Sequence, residues 1–328
     1  MINQAAKKIL KALSFDGVEV EMFRHMADLK RLDPMKIFYK KVDEKIYNGS
    51  HAVPVRIFFP NEKSFRESEE KKADSQERKL LLFIHGGGWV TESVENYERV
   101  CARMAQSTGQ IVASVEYRLA PEYRFPVGLM DCYAAAKVFY TNRFLLNTDP
   151  DRITIMGDSA GGNLAAMLGM NVPNGQFLGE EGRTDLQTQP TVALAIDQFG
   201  PMNFATMDAQ AKENGLSLAN HGEAMSPESK YIGCALPEAE AGLIAQANPA
   251  TYISPAMTKI LVQHGTHDRL VPYAQSVELV GEIEKKMGAD RVTFVPLDGA
   301  DHEDKRFFAE ENMDLVFAFI ADNLKGDR

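Results

Sequence analysis

Short apolar runs alternating with longer amphipathic stretches organise this chain. Runs at residues 79–84, 111–115, 153–156, 192–196, 260–264 and 292–295 are apolar or β-branched and read as buried strands. Between and after them, the spacing predicts helices over 96–107, 129–144, 163–170, 273–287 and 306–324. Repeated strand–helix units imply a mostly parallel sheet covered on both faces, because each return to a parallel strand needs a crossover that packs on the sheet. Residues 42–47 and 53–59 alternate with period two and predict an antiparallel entry into that sheet. The interval 61–79 is dominated by Glu, Lys, Arg, Asp and Ser, which bury too little surface to order themselves, so it reads as a solvated loop. Residues 3–40 carry apolar positions at mixed helical spacing, including Ile9, Leu13, Phe23 and Met26, and predict a pair of short helices. The alternation breaks at 200–255, where helical fragments, glycines and prolines form an insertion of the length expected of a lid or binding loop.

Chemistry concentrates where the strands end. Gly157-Asp158-Ser159-Ala160-Gly161-Gly162 follows one predicted strand and opens a small-residue helix. A strand reversing sharply into a helix needs a strained backbone at the turn and glycines where chains approach closely, which pushes a serine at its tip into the open. The helix start beneath it favours developing negative charge. His85-Gly86-Gly87-Gly88-Trp89 ends an earlier strand in a loop rich in backbone N–H groups. No Gly-Lys-Ser/Thr follows to make it a phosphate-binding P-loop. Serine is a weak nucleophile at neutral pH and needs a histidine base, which in turn needs a carboxylate to fix its tautomer. Of seven histidines, only His302 lies after the last predicted strand in a glycine-bearing loop, Asp298-Gly299-Ala300-Asp301-His302. Asp268 follows the strand at 260–264 across a short loop at the same sheet edge as Ser159, while Asp298 and Asp301 compete for the role by their nearness in sequence to His302.

Charge and cysteine usage narrow the partners. A formal net charge of −10, with no basic cluster free of acidic residues, argues against nucleic acid. Cys101, Cys132 and Cys234 are too few and too scattered for a disulfide framework or a zinc site, and His264 with His267 lacks a third ligand at sensible spacing. The first thirteen residues are broken by lysines at helical spacing rather than forming a signal-peptide core, and no apolar run reaches the length of a membrane span. A cytoplasmic protein without membrane attachment, metal or organic cofactor is the resulting expectation. Cys101 and Cys132 read as core, His85 as a brace for the glycine loop, Asp158 as a support for the turn, Arg118 with Glu122 as a structural ion pair, and Trp89 as a pocket wall or packing residue. Phe307, Phe308, Val316 and Phe317 suit either a homodimer contact or a helix packed on the sheet.

Taken together, His85-Gly86-Gly87-Gly88-Trp89, Tyr117-Arg118-Leu119-Ala120-Pro121-Glu122 with Phe125-Pro126, the glycine-flanked Ser159, Gly265-Thr266-His267-Asp268 leading to Val271-Pro272, and Gly299-Ala300-Asp301-His302 resemble the hormone-sensitive-lipase-like carboxylesterases of the α/β-hydrolase superfamily. These motifs span roughly residues 45 to 325 in the family's order. The resemblance implies a single α/β-hydrolase domain over 1–328, with a helical cap made from approximately 1–40 and 200–255. It carries the acid to Asp268 and the oxyanion donors to the amides of Gly87, Gly88 and Ala160, beside Ser159 as nucleophile and His302 as base. The expected activity is hydrolysis of short- to medium-chain acyl esters, small molecules, through an acyl-enzyme. An arylformamidase, lactonase or peptidase using the same triad, and a non-catalytic receptor of the same fold, are the alternatives.

Overall fold

The computed structural model describes residues 40–69, 78–141, 148–170, 192–215 and 220–324. The helix pair expected over 3–40, and with it the N-terminal half of the expected cap, lies almost wholly outside the described residues. Strands β1 (Lys40–Asn48) and β2 (His51–Phe59) form a hairpin across a turn at Gly49, whose φ of 60° suits glycine. Helix α1 (Glu62–Glu69) follows, where a loop was expected. Two local features make it: the Asn61 side chain accepts the Ser64 N–H at 2.9 Å, and Phe65 packs edge-on to Phe59 beneath the Lys40 ammonium. A single anchoring aromatic in a charged run is too little periodicity to announce a helix.

The chain then runs through β3 (Arg78–Ile84), α2 (Glu98–Thr108), β4 (Ile111–Val115), α3 (Val127–Thr141), β5 (Thr148–Asp158), α4 (Ala160–Gly169) and β6 (Leu194–Gln198). Gly109 ends α2 with φ of 65°, its N–H returning to the Ala105 carbonyl. The interval at 200–255 holds α5 (Met207–Glu213), α6 (Pro227–Ile232) and α7 (Ala241–Ala247), joined by short 3-10 turns. Last come β7 (Lys259–Gly265), α8 (Ala274–Met287), β8 (Val292–Leu297) and α9 (Glu310–Asn323). The closing helix is shorter than expected because the Asp304 carboxylate caps a separate 3-10 turn, Lys305–Phe308, ahead of it.

All eight strands join one sheet in the order β1-β2-β4-β3-β5-β6-β7-β8. Only the β1–β2 and β2–β4 pairs are antiparallel; from β4 to β8 the sheet is parallel. Alternation along β3 shows how one strand serves two cores. Leu80, Leu82 and Ile84 face a core completed by α3, α4 and α8, while Leu81 and Phe83 face another completed by α2 and α9. This is the fold class read from the sequence, and its central strands β4 and β6 are buried at every position. Phe307 and Val316 are buried within the chain, so for these two the packing alternative holds and not the dimer contact; Phe308 and Phe317 are half-buried beside them. Among the described residues, no helix is long and apolar enough to cross a membrane.

Candidate active site

Parallel strands aim their carboxyl ends the same way, so β3, β5, β7 and β8 deliver the glycine loop, Ser159, Asp268 and His302 to one edge of the sheet. Ser159 stands between β5 and α4 with φ of 51° and ψ of −122°, a strained conformation for a non-glycine residue. Glycines around it make that turn tight. A Cβ on Gly161 would run into the carbonyls of Ile84 and His85, and one on Gly157 into the Gly161 backbone. The Ser159 N–H is taken by the Gln198 carbonyl at 2.8 Å, which ties the turn to β6.

The Ser159 hydroxyl lies 3.0 Å from His302 Nε2, across 143 positions of sequence. On the other side of the ring, His302 Nδ1 lies 2.7 Å from Asp268 Oδ2. Asp268 is fully engaged: its Oδ1 accepts the N–H groups of Leu270 and Val271, each at 2.9 Å, and its Oδ2 also meets His264 Nε2 at 3.2 Å. Burial alone would raise this carboxyl, but the two imidazoles hold it well below the usual carboxylate range. Burial likewise works against a charged His302, yet the Asp268 charge and hydrogen bond, with help from Glu303 and Asp158, raise its imidazole above the usual 6.5. The two rival acids face other partners. Asp301 receives the Arg269 guanidinium and amide and so joins the acid loop to the His302 loop, and Asp298 accepts the Thr266 hydroxyl at 3.2 Å.

The glycine loop sits directly on the serine turn: a Cβ on Gly86 would come within 3.3 Å of Ser159 Cβ. Gly87 and Gly88 have φ of 95° and 60°, and among the described residues their amides and that of Ala160 donate to no other backbone carbonyl. Ala160 begins α4, where the first N–H has no partner inside the helix. Behind the loop, His85 Nδ1 meets the Gly86 carbonyl at 2.9 Å and its ring stacks on Tyr117, whose hydroxyl donates to the His85 carbonyl at 3.0 Å. Tyr97 donates to Asp158 at 2.7 Å beneath the turn, and burial pushes that carboxyl up to about 7.

One expected contact differs. Arg118 forks onto Asp131 of α3 at 2.7 and 2.8 Å, while Glu122 is exposed. Asp131 is wholly buried and also receives the Arg118 N–H and Asn48, a demand that an exposed Glu122 does not present. His264 braces Asp268 and Val271 from behind, and among the described residues no three His, Cys, Asp or Glu side chains gather as metal ligands. Phe199, with φ of 46°, packs its ring against His302 with centroids 4.9 Å apart, a contact hidden in the sequence because its partner is 103 positions away (302 − 199). Trp89 is buried, lying flat on Tyr231 of α6 at 4.4 Å with Phe204 at its edge.

A family model described as BD-FAE matches residues 69–283, about two thirds of the chain. The chain belongs to the BD-FAE family. The BD-FAE match takes in the glycine loop, Ser159 and Asp268 and ends before His302. Carboxylesterase NlhH of Mycobacterium tuberculosis is 34% identical over 155 residues, 47% of this chain and 44% of the relative. Neutral cholesterol ester hydrolase 1 of Rattus norvegicus is 41% identical over 185 residues, 55% of this chain and 41% of the relative. The chain thus spans less than half the length of these curated relatives. Among solved structures, the thermostable carboxylesterase EstE1 from a metagenomic library superposes with a TM-score of 0.72 at 24% identity, covering 94% of this chain and 98% of that one. These matches place this BD-FAE protein among the hormone-sensitive-lipase-like α/β-hydrolases that its motifs resemble.

Proposed function

We propose that this protein is a serine carboxylesterase that hydrolyses small esters of short- to medium-chain acids through an acyl-enzyme. The observation that carries the reading is the unbroken chain from Ser159 Oγ to His302 Nε2 at 3.0 Å and from His302 Nδ1 to Asp268 at 2.7 Å. Neutral His302 takes the hydroxyl proton as Ser159 attacks the ester carbonyl, and Asp268 stabilises the imidazolium that forms. The amides of Gly87, Gly88 and Ala160 receive the negative charge on the former carbonyl oxygen. His302 then protonates the departing alcohol, and water, deprotonated by the same imidazole, releases the acid and restores Ser159.

Two curated relatives named as a carboxylesterase and a cholesterol ester hydrolase support ester chemistry, while a third, 40% identical over 131 residues, is named an arylacetamide deacetylase, which is why an anilide belongs in the test. The Trp89–Tyr231–Phe204 cluster supports the shorter chains, since it fills the space beside the glycine loop with packed rings. It also supports a capping role for residues 200–255, which supply two of those three rings. Rates on p-nitrophenyl acetate, butyrate and decanoate, compared with an N-formyl anilide, test the proposal. Butyrate or acetate is expected to be turned over fastest; efficient anilide cleavage with negligible ester turnover would contradict it.

A further inference from the structure

Another buried histidine, besides His85 and His264, touches the catalytic edge from the side of the 200–255 segment. His221 lies in the turn before α6 and is almost fully buried. Its Nδ1 stands 3.0 Å from Glu228 Oε1, and its Nε2 stands 3.1 Å from the Leu270 carbonyl. A carbonyl only accepts, so Nε2 donates to Leu270, and a proton on Nδ1 as well, facing the Glu228 carboxyl, gives the ring a positive charge. Burial opposes that charge, but Glu228, then Asp208 and the Leu270 carbonyl outweigh it and raise the His221 pKa above the usual 6.5. The backbone holds the ring in place as well: the N–H groups of His221 and Gly222 donate to the two oxygens of Asp208 at 2.6 and 2.8 Å, and the Ser226 hydroxyl donates to the His221 carbonyl at 2.6 Å.

What His221 grips decides its role. Leu270 is the residue whose own N–H donates to Asp268 Oδ1, and its carbonyl shares a peptide plane with the Val271 N–H, the second donor to that oxygen, so the His221 bond fixes the plane that holds Asp268. Arg269, its neighbour, reaches away toward Asp301, and His264 takes the Val271 carbonyl at 3.1 Å. The loop is therefore pinned at three consecutive residues, with Leu270 held from the 200–255 segment. The next residues of that segment reach the other half of the machinery, since Pro227 packs where a Gly88 Cβ would be, at 2.7 Å.

We infer that the Glu228–His221 pair is a positioning device for the catalytic acid, holding the Leu270 carbonyl so that the loop amides keep Asp268 aimed at His302. The inference rests on the assignment of Asp268 and His302 as acid and base. Loss of the pair leaves the reacting groups intact but lets the Asp268 carboxylate drift from His302 Nδ1. A base less well supported has a lower pKa, because burial then weighs more against its charge.

The test is the pH dependence of p-nitrophenyl butyrate hydrolysis by wild type, His221→Phe, His221→Gln and Glu228→Gln. His221→Phe should lower kcat by up to about 100-fold, the scale of a small misplacement of reacting groups. KM should change less than kcat, and the acid limb of kcat/KM should move to lower pH. His221→Gln, which can still donate to Leu270, should recover part of kcat, and Glu228→Gln should fall between. Should His221→Phe fold poorly, Glu228→Gln, with its near-identical shape, carries the same readout. A lower melting temperature with kcat and the acid limb unchanged in every folded variant would overturn the inference while leaving the esterase reading intact. Wild type that neither hydrolyses the ester nor reacts with a fluorophosphonate would instead overturn both.

Discussion

At the scale of single residues, the site is a problem of proton placement. In the proposed mechanism Ser159 gives its proton to His302, whose Nε2 lies 3.0 Å away and accepts only when the ring is neutral. Asp268 raises the imidazole above 6.5 while burial resists, so ester hydrolysis should be lost as pH falls through that raised value and should persist into alkaline solution. A kcat/KM profile across pH 5 to 10 checks this: an acid limb above about 6.5 is expected. Asp268→Asn removes the support and leaves burial, so its acid limb should shift to lower pH. The same change should reduce kcat by about 10⁴-fold, the loss found when a triad carboxylate is replaced by its amide. Much of this was legible in the sequence, since Ser159 and His302 each sat in a motif with few competitors. Asp268 was legible only with the family motif, because sequence distance favoured Asp298 and Asp301 equally well. Arg118 shows the limit: it was paired with nearby Glu122, whereas Asp131, one helix later, is the buried charge that needed an answer.

At the scale of elements, the strand–turn–helix unit β5–α4 is where packing and chemistry meet. Gly161 is the tightest point, facing the β3 backbone with no flexible atom to yield. Gly161→Ala should destabilise by about 1–3 kcal/mol or more as an overpacked site and should depress activity, because relief requires moving the serine turn or the glycine loop. Gly109→Ala is the contrast. It has open space around it but a positive φ, and it lies at the opposite end of the sheet, so a cost of roughly 1–2 kcal/mol with unchanged kcat is expected. Thermal melting and initial rates on both variants check the pair. Sequence periodicity found the long elements because β3 to β7 and α2 to α4 each bury a full stripe. It passed over α1, which depends on one cap and one aromatic, and it ran α9 back through the 3-10 turn because the Asp304 cap leaves the apolar spacing unbroken.

At the scale of the whole molecule, stability and activity should run in opposite directions with pH. Burial pushes Asp158 up to about 7 and Asp197 up to about 8, the latter despite an N–H bond from Gly200. In the unfolded chain both ionise near 3.8, so between that value and their folded values the unfolded state releases protons that the native state keeps, and stability falls as pH rises. Raised His302 acts in the same sense above 6.5, its contribution being lost as pH climbs through its folded value. Asp268 acts in the opposite sense only in strong acid, where its lowered pKa is approached from above. Melting temperature is therefore expected to be higher near pH 5 than near pH 9, while ester turnover rises over the same interval. A melting temperature that climbs toward pH 9 would show that these buried carboxyls do not govern the profile.

The central claim is that Ser159 is the nucleophile. Incubating the protein with a fluorophosphonate and mapping the adduct by tandem mass spectrometry tests it directly. One phosphonyl group per chain on Ser159, with ester turnover lost in step with labelling and no reaction in Ser159→Ala, is the predicted result. An unlabelled Ser159 in protein that still hydrolyses p-nitrophenyl esters would contradict it.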